Sequence, residues 1–378
     1  MKDNNNDKNL NVPHLRFPEF SGEWEKSELH KVASLSKGTG ISKEQLSEEG
    51  LPCILYGELY TKYRCEVINE IISKTNLEPE KLVKSQTNDV VIPCSGETSI
   101  DIATARCVKQ SDVLLGGDLN IIRLKGEYDG AFFAYQLNGK RKYDIARVAQ
   151  GVSVVHLYGE HLKRVKVNYP SITEQKKISS LLTLVDQRIE TQKKIIEDLK
   201  KLKDAISKLL FRHRAGNEYT IGELCKSIAV KQYISIDVAI DGTYPIIQQG
   251  ESPVAGYTES APFFDYEKVI LFGDHTLSIY RPNVPFLLST DGIKILRPND
   301  LVLRDYLYYL LYAFMPKSEG YKRHYSILKD ICVPVPDIDT QKSIVEELLS
   351  VDSKIEIEVR VLKLQIQQKE YCLNHMFI

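Results

Sequence analysis

The 378-residue sequence lacks the compact catalytic motifs that would mark it as an enzyme. No G-x-x-x-x-G-K-[ST] loop is present to cradle nucleotide phosphates, which argues against ATP hydrolysis. No glycine fingerprint joins a strand to a helix; Ser36-Lys-Gly-Thr-Gly40 faintly suggests one and reads as a surface loop. The eight histidines form no H-x-x-x-H pair, no clustered acidic pair followed by lysine marks a nuclease, and G-x-S-x-G is absent. Silence of this breadth favours a binding or adaptor role.

Other absences narrow the class. No run of about 18 apolar residues could span a bilayer. The seven cysteines are odd in number and scattered, with no C-x-x-C pair, which suits reduced cytoplasmic thiols better than disulfides or a zinc site. The Asn-rich segment 1–11 reads as a disordered tail and not as a signal or transit peptide. A basic excess is missing too, since the net charge is −1. A basic cleft can coexist with acidic outer faces, so this leaves room for a nucleic-acid reader that works inside a larger assembly.

What the chain does contain is itself, twice. Residues 165–211 align without gaps onto 331–377 at an offset of 166, with 13 identities in 47 positions. Average composition would give roughly three. The matches include Pro170/Pro336, Gln175/Gln341, Lys176/Lys342, Leu182/Leu348, Asp186/Asp352 and Ile189/Ile355. A weaker upstream echo sets Glu28-Leu29-x-Lys31 against Glu223-Leu224-x-Lys226.

Each copy predicts one long helix following a proline that closes an extended segment, with Thr173 or Asp339 near the N-cap. Apolar residues recur at spacings of three and four, a heptad seam. In the first copy the seam is Ile178, Leu182, Val185, Ile189, Ile196, Leu199, Ile206 and Leu210. In the second it is Ile344, Leu348, Val351, Ile355, Leu362, Cys372 and Met376. Gln192/Glu358 and Lys203/Lys369 interrupt both at matching places. Residues 171–212 hold ten Lys/Arg against six Asp/Glu, a net +4, and residues 337–378 hold five against eight, a net −3. Opposite charge favours pairing of the two helices with each other, and the repeat calls for an antiparallel coiled coil.

The segments before the helices mix short β-rich runs with short helices and do not resemble one another in sequence. The expected architecture is α+β with a pseudo-twofold repeat. It comprises the tail (1–11), a globular head (12–170), a spacer helix (171–212), a second head (213–336) and a second spacer helix (337–378). Two like scaffolds with divergent surfaces imply two like tasks on two different targets.

The run Val12-Pro-His-Leu-Arg-Phe-Pro-Glu-Phe-Ser-Gly-Glu-Trp24 resembles the opening of the specificity (S) subunits of type I restriction–modification enzymes. Tyr56-Gly-Glu-Leu59, Gly116-Gly-Asp118, the Val335-Pro336 junction with Gln341-Lys342, and Phe272-Gly-Asp-His-Thr276 are similar to that family as well. The resemblance spans nearly the whole chain. It implies a non-catalytic, cytoplasmic subunit in which each head is a target recognition domain reading one half of a split double-stranded DNA sequence. The helices would set the spacing and dock two methyltransferase subunits. Restriction subunits would join, and S-adenosylmethionine, ATP and Mg²⁺ would belong to these partners.

Base reading needs Asn, Gln, Arg, Lys, Ser or Thr presented from loops. The candidates are Ser95, Thr98, Gln150 and Ser153 in the first head, and Gln248, Gln249, His275, Thr276, Lys322 and Arg323 in the second. A structural adaptor with two protein-binding heads on a coiled-coil spacer is the alternative, and a divergent nuclease or methylase is a third reading.

Overall fold

A computed structural model describes residues 11–151, 154–212, 216–318, 320 and 322–378. Pro170 and Pro336 each end a strand, Lys166–Tyr169 and Cys332–Val335, because proline cannot donate to a ladder. A long helix follows each: Ile172–Arg212 and Ile338–His375. The chain divides into two compact units, residues 1–193 with 361–378, and residues 194–360. Each unit thus holds one head and parts of both long helices.

The heads share a plan that their sequences conceal. In the first, a five-stranded sheet runs in the order Ala33–Lys37, Leu119–Leu124, Asp89–Pro93, Arg106–Val108, Val67–Ile68. In the second, the order is Cys225–Ile228, Ile293–Pro298, Ile270–Gly273, Ile279–Tyr280. Each head has a second sheet with a parallel pair, Leu51–Ile54 with Leu114–Leu115, and Tyr244–Ile247 with Leu287–Leu288. Each head also opens on a strand paired with the one before the long helix, Glu25–Glu28 with Lys166–Tyr169 and Asn217–Thr220 with Cys332–Val335. A one-turn helix follows, Leu29–Val32 or Ile221–Leu224. Leu29 therefore matches Ile221 and not Leu224. The upstream sequence echo was three residues out of register, because chance identities outweighed the true but diverged match.

Ser36-Lys-Gly-Thr-Gly40 lies at the surface, as expected, and its backbone also makes a close crossing. A Cβ on Gly38 would lie 2.0 Å from the Gly116 carbonyl oxygen, and Thr39 N–H donates to Leu115 O at 3.0 Å. Only glycine permits that approach.

The repeated identities hold one inner helix in each unit, Gly130–Asn138 in the first and Arg304–Ala313 in the second. The Gln175 carbonyl oxygen accepts from Asp129 N–H at 3.1 Å, and Gln341 does the same for Leu303 N–H at 2.9 Å. Asp129 and Leu303 are the residues that cap the two inner helices. The amide of each glutamine donates back to the preceding proline carbonyl, Pro170 at 2.8 Å and Pro336 at 3.0 Å. Farther along, the Tyr135 hydroxyl donates to Asp186 and the Tyr309 hydroxyl to Asp352, each at 2.7 Å. Lys369 meets Asp186 and Lys203 meets Asp352, each at 2.6 Å. Phe377 lies 5.2 Å from Phe132, and Phe211 lies 5.4 Å from Tyr306, both pairs at 48°.

Gln341 is fully buried and also donates to Leu301 O at 2.9 Å. Gln341→Ala would leave a part-buried N–H and two part-buried carbonyls without their partner, so we expect a loss of about 1 kcal/mol. Urea unfolding should show a lower midpoint with an unchanged slope.

Within each unit the two long helices pack antiparallel. In the first, Ile178 and Leu182 share a core with Met376 and Cys372. In the second, Ile206 and Leu210 pack with Leu348 and Ile344. Ile178, Leu182, Val185, Ile189, Ile196, Ile344 and Leu348 are buried, whereas Leu199, Val351, Ile355 and Leu362 are half-buried. Lys203 and Lys369 do not merely interrupt the seam, since they carry its ion pairs. The N-terminal segment is tied to the rest of the first unit through Glu174, which accepts from Arg16 Nε and Nη2, each at 2.8 Å, and from the Trp24 indole N–H at 3.3 Å. Asn11 belongs to this packed segment, and its carbonyl accepts from Trp24 N–H at 2.8 Å.

Candidate nucleic-acid interface

In both heads the strand nearest the middle of the large sheet runs out into a polar loop. After Asp89–Pro93, Cys94 N–H donates to Asp118 O at 2.6 Å, and Leu157 N–H donates to Cys94 O at 2.8 Å. After Ile270–Gly273, Asp274 N–H donates to Gly292 O at 2.8 Å, and His324 N–H donates to Asp274 O at 2.8 Å. The same two segments therefore meet in each head, the loop after the strand and the stretch before a one-turn helix, Gly159–Leu162 or Tyr325–Leu328. Ser95 and Thr98 lie on this loop in the first head, as His275 and Thr276 do in the second. Gln150 lies in the stretch before the short helix of the first head, and Lys322 and Arg323 in that of the second.

Not every candidate is equally available. The Thr98 side chain caps helix Ser99–Ile102, accepting from Asp101 N–H at 3.1 Å and donating to Asp101 Oδ2 at 2.6 Å. Gln248 donates to Ser252 O at 3.0 Å, which closes a turn. Ser153 lies outside the described residues. Ser95 lines a cavity of about 690 Å³ with Tyr56, Tyr60, Glu97, Asp101 and Arg106.

The second head gathers its candidates more tightly. Gln249 Oε1 accepts from His275 N–H at 3.0 Å, and His275 Nδ1 donates to Lys322 O at 3.2 Å. Gly292 makes room for this cluster, because a Cβ there would lie 2.4 Å from Gln249 Nε2. Thr276 Oγ1 and Ser278 Oγ are 2.9 Å apart. Arg323 meets Asp291 at 3.3 Å with both side chains largely exposed. An ion pair so exposed is worth at most about 1 kcal/mol and yields readily to a phosphate or a guanine edge.

His156, Asp118, Tyr158 and Lys37 stand beside these candidates, although sequence reasoning did not single them out as contacts. The Lys37 ammonium sits 6.0 Å from the Tyr158 ring, and that ring lies 6.2 Å from His156. His156 stands on strand Val155–His156, which pairs with Ser95–Gly96. Only the pairing, which sequence does not reveal, brings it beside Ser95.

The first long helix carries a second apolar stripe and the other exposes further apolar residues, and sequence reading passed over both. In the second unit Ile195, Leu202 and Leu209 recur every seven residues and are exposed, with Ile357 and Val359 on the other helix. In the first unit Leu184, Leu364, Ile366 and Tyr371 are exposed. Among the described residues no group of His, Cys, Asp and Glu is arranged to hold a metal ion, and no helix is long and apolar enough to cross a membrane.

Two copies of one fold, each with a polar loop junction, and two antiparallel helices define a two-headed binding protein. The family model of the type I restriction modification DNA specificity domain matches the chain twice, over residues 21–201 and 216–368. The chain belongs to that family. A type I restriction enzyme specificity subunit of Methanocaldococcus jannaschii is 23% identical, covering 96% of this chain and 93% of that relative. A putative type I specificity subunit of Mycoplasma pneumoniae is 25% identical, with 82% of each chain covered. Among solved structures, the S subunit of a type I restriction–modification system from M. genitalium superposes with a TM-score of 0.64 at 18% identity, covering 97% of this chain and 99% of that one. A chain solved in work on assembly and conformational transition of a type I system gives 0.58 at 14% identity, covering 96% and 98%.

Proposed function

We propose that the chain is the non-catalytic, cytoplasmic DNA-reading subunit of a type I restriction–modification complex, each head reading one half of a bipartite duplex target. The observation that carries this reading is the shared loop junction. Ser95, His156 and Gln150 occupy it in the first head, and His275, Lys322 and Arg323 in the second. Identical scaffolding with different donors and acceptors is what two different half-sites require. S-adenosylmethionine, ATP and Mg²⁺ belong to the partner subunits in this reading, and restriction subunits join the assembled complex.

The test is an exchange of residues 213–336 for the second head of another family member, followed by methylome sequencing. One half-site should change and the other remain. A change in both would refute independent heads.

The outer apolar stripes are the surfaces on which two methyltransferase subunits dock. Exposed leucines at heptad spacing on a helix suit helix-on-helix packing by a partner. Leu202→Glu with Leu209→Glu should abolish co-purification with the methyltransferase while leaving the thermal midpoint within a few degrees of the parent. Retained assembly would place the docking surface elsewhere.

A further inference from the structure

His156 is held in a way that its neighbours' chemistry makes specific. It stands directly opposite Ser95 on one side and Gln150 on the other, across three adjacent extended segments. Directly opposed residues project from the same face with Cβ atoms about 4.5–5.5 Å apart. The result is a row of three polar side chains.

The row is wired from Asp118. Ser95 Oγ lies 3.4 Å from Asp118 Oδ2 and 3.3 Å from His156 Nδ1. An ionised carboxylate only accepts, so the Ser95 hydroxyl proton points to Asp118. Its oxygen lone pair is left for the His156 Nδ1–H. In the neutral ring this puts the proton on Nδ1 and a bare lone pair on Nε2. His156 is exposed, and among the described residues nothing hydrogen-bonds Nε2. The second head fixes the same tautomer from the opposite segment, where His275 Nδ1 faces the Lys322 carbonyl, which can only accept.

We infer that His156 is a specificity-determining residue of the first head, its Nε2 accepting a hydrogen bond from the exocyclic amino group of an adenine or cytosine in the major groove. This rests on the reading of the heads as DNA readers. Adenine N6 and cytosine N4 donate there, whereas guanine and thymine present only acceptors to a lone pair. Ser95 and Asp118 are positioning residues that act through the ring. Lys37, beside Tyr158 on the same surface, supplies a cation for a nearby phosphate.

The experiment assembles the complete methyltransferase complex with the parent chain, His156→Leu, Ser95→Ala or Ser95→Thr, and sequences the sites methylated in a random duplex library. The parent should prefer A or C at one position of one half-site. His156→Leu should relax that position about 2- to 12-fold, the range of one neutral hydrogen bond, and leave the second half-site unchanged. Ser95→Ala should relax the same position by less, and Ser95→Thr, which keeps the hydroxyl, should restore it. Unchanged preference at every position in His156→Leu, or uniform weakening across all sequences, would each overturn the inference alone. A parent complex that selects no split sequence would instead overturn the DNA-reading function on which it rests.

Discussion

Lys369→Met is expected to destabilise the first unit by about 3–5 kcal/mol, the cost of removing one partner from a buried ion cluster. Lys369 sits between two carboxylates, Glu66 at 2.7 Å and Asp186 at 2.6 Å, and both are almost completely buried. Burial opposes the Glu66 charge, yet Lys369 and Arg106 outweigh it and hold that carboxyl below its usual range. Asp186, with burial and the Glu66 charge against it, is pushed up to about 6. Burial and Asp186 also push the Tyr135 phenol up, so it stays a donor to Asp186. Without Lys369 the two carboxylates face each other, and among the described residues Arg106 is the remaining cation acting on Glu66.

The defect should depend on pH. In the variant both carboxyls have folded pKa values above the unfolded range of about 3.9–4.3. The folded variant then binds more protons than the unfolded chain from about pH 4 up through those raised values, so its stability rises as pH falls. Denaturant midpoints at pH 7.5 and pH 5 should therefore lie closer to the parent at the lower pH. Lys203→Met is the control. It strands the single carboxylate Asp352, whose side chain is 20% exposed, and should cost less with a weaker pH dependence. A deficit for Lys369→Met that is small, or that grows on acidification, would contradict a buried charge cluster.

How much of this was legible in the sequence follows from which residues face their own helix and which face another element. The long helices were legible because heptad spacing and the flanking prolines are local signals. Their antiparallel pairing was legible from repeat and charge. The role of the repeated Gln175/Gln341 and Asp186/Asp352 was not. Their partners, the cap residues Asp129/Leu303 and the hydroxyls of Tyr135/Tyr309, lie in heads whose sequences have diverged. Tyr135 and Tyr309 are identical and equivalent, but at an offset of 174 instead of 166, and an ungapped comparison loses them there. The loop candidates rested on residue type and turn-rich context. That singled out Ser95 and His275, which lie on the two loop junctions, and with them Thr98, whose hydroxyl caps a helix. It passed over His156, since a two-residue strand carries no periodicity to detect.

The two Lys–Asp–Tyr sets also bear on whether the helices measure DNA. Seventeen residues separate Asp186 from Lys203 on the first long helix, and seventeen separate Asp352 from Lys369 on the second. The equal spans follow from the repeat, and in each unit an aspartate of one helix meets the lysine of the other. An insertion that preserves both ion pairs must lengthen both helices between those points. We therefore expect four helix-forming residues added after Asp198, together with four after Leu364, to give a folded, assembling subunit. Each helix gains about 6 Å at 1.5 Å per residue. Four residues advance the helix by about 400°, so the seam turns by only about 40° and can re-form. Base pairs rise about 3.4 Å each, so the methylated target should keep both half-sites while its spacer grows by one or two base pairs. Methylome sequencing reads this directly. Methylation at the original spacing by a working paired-insertion variant would show that something other than these helices sets the distance between half-sites, whatever the heads themselves read.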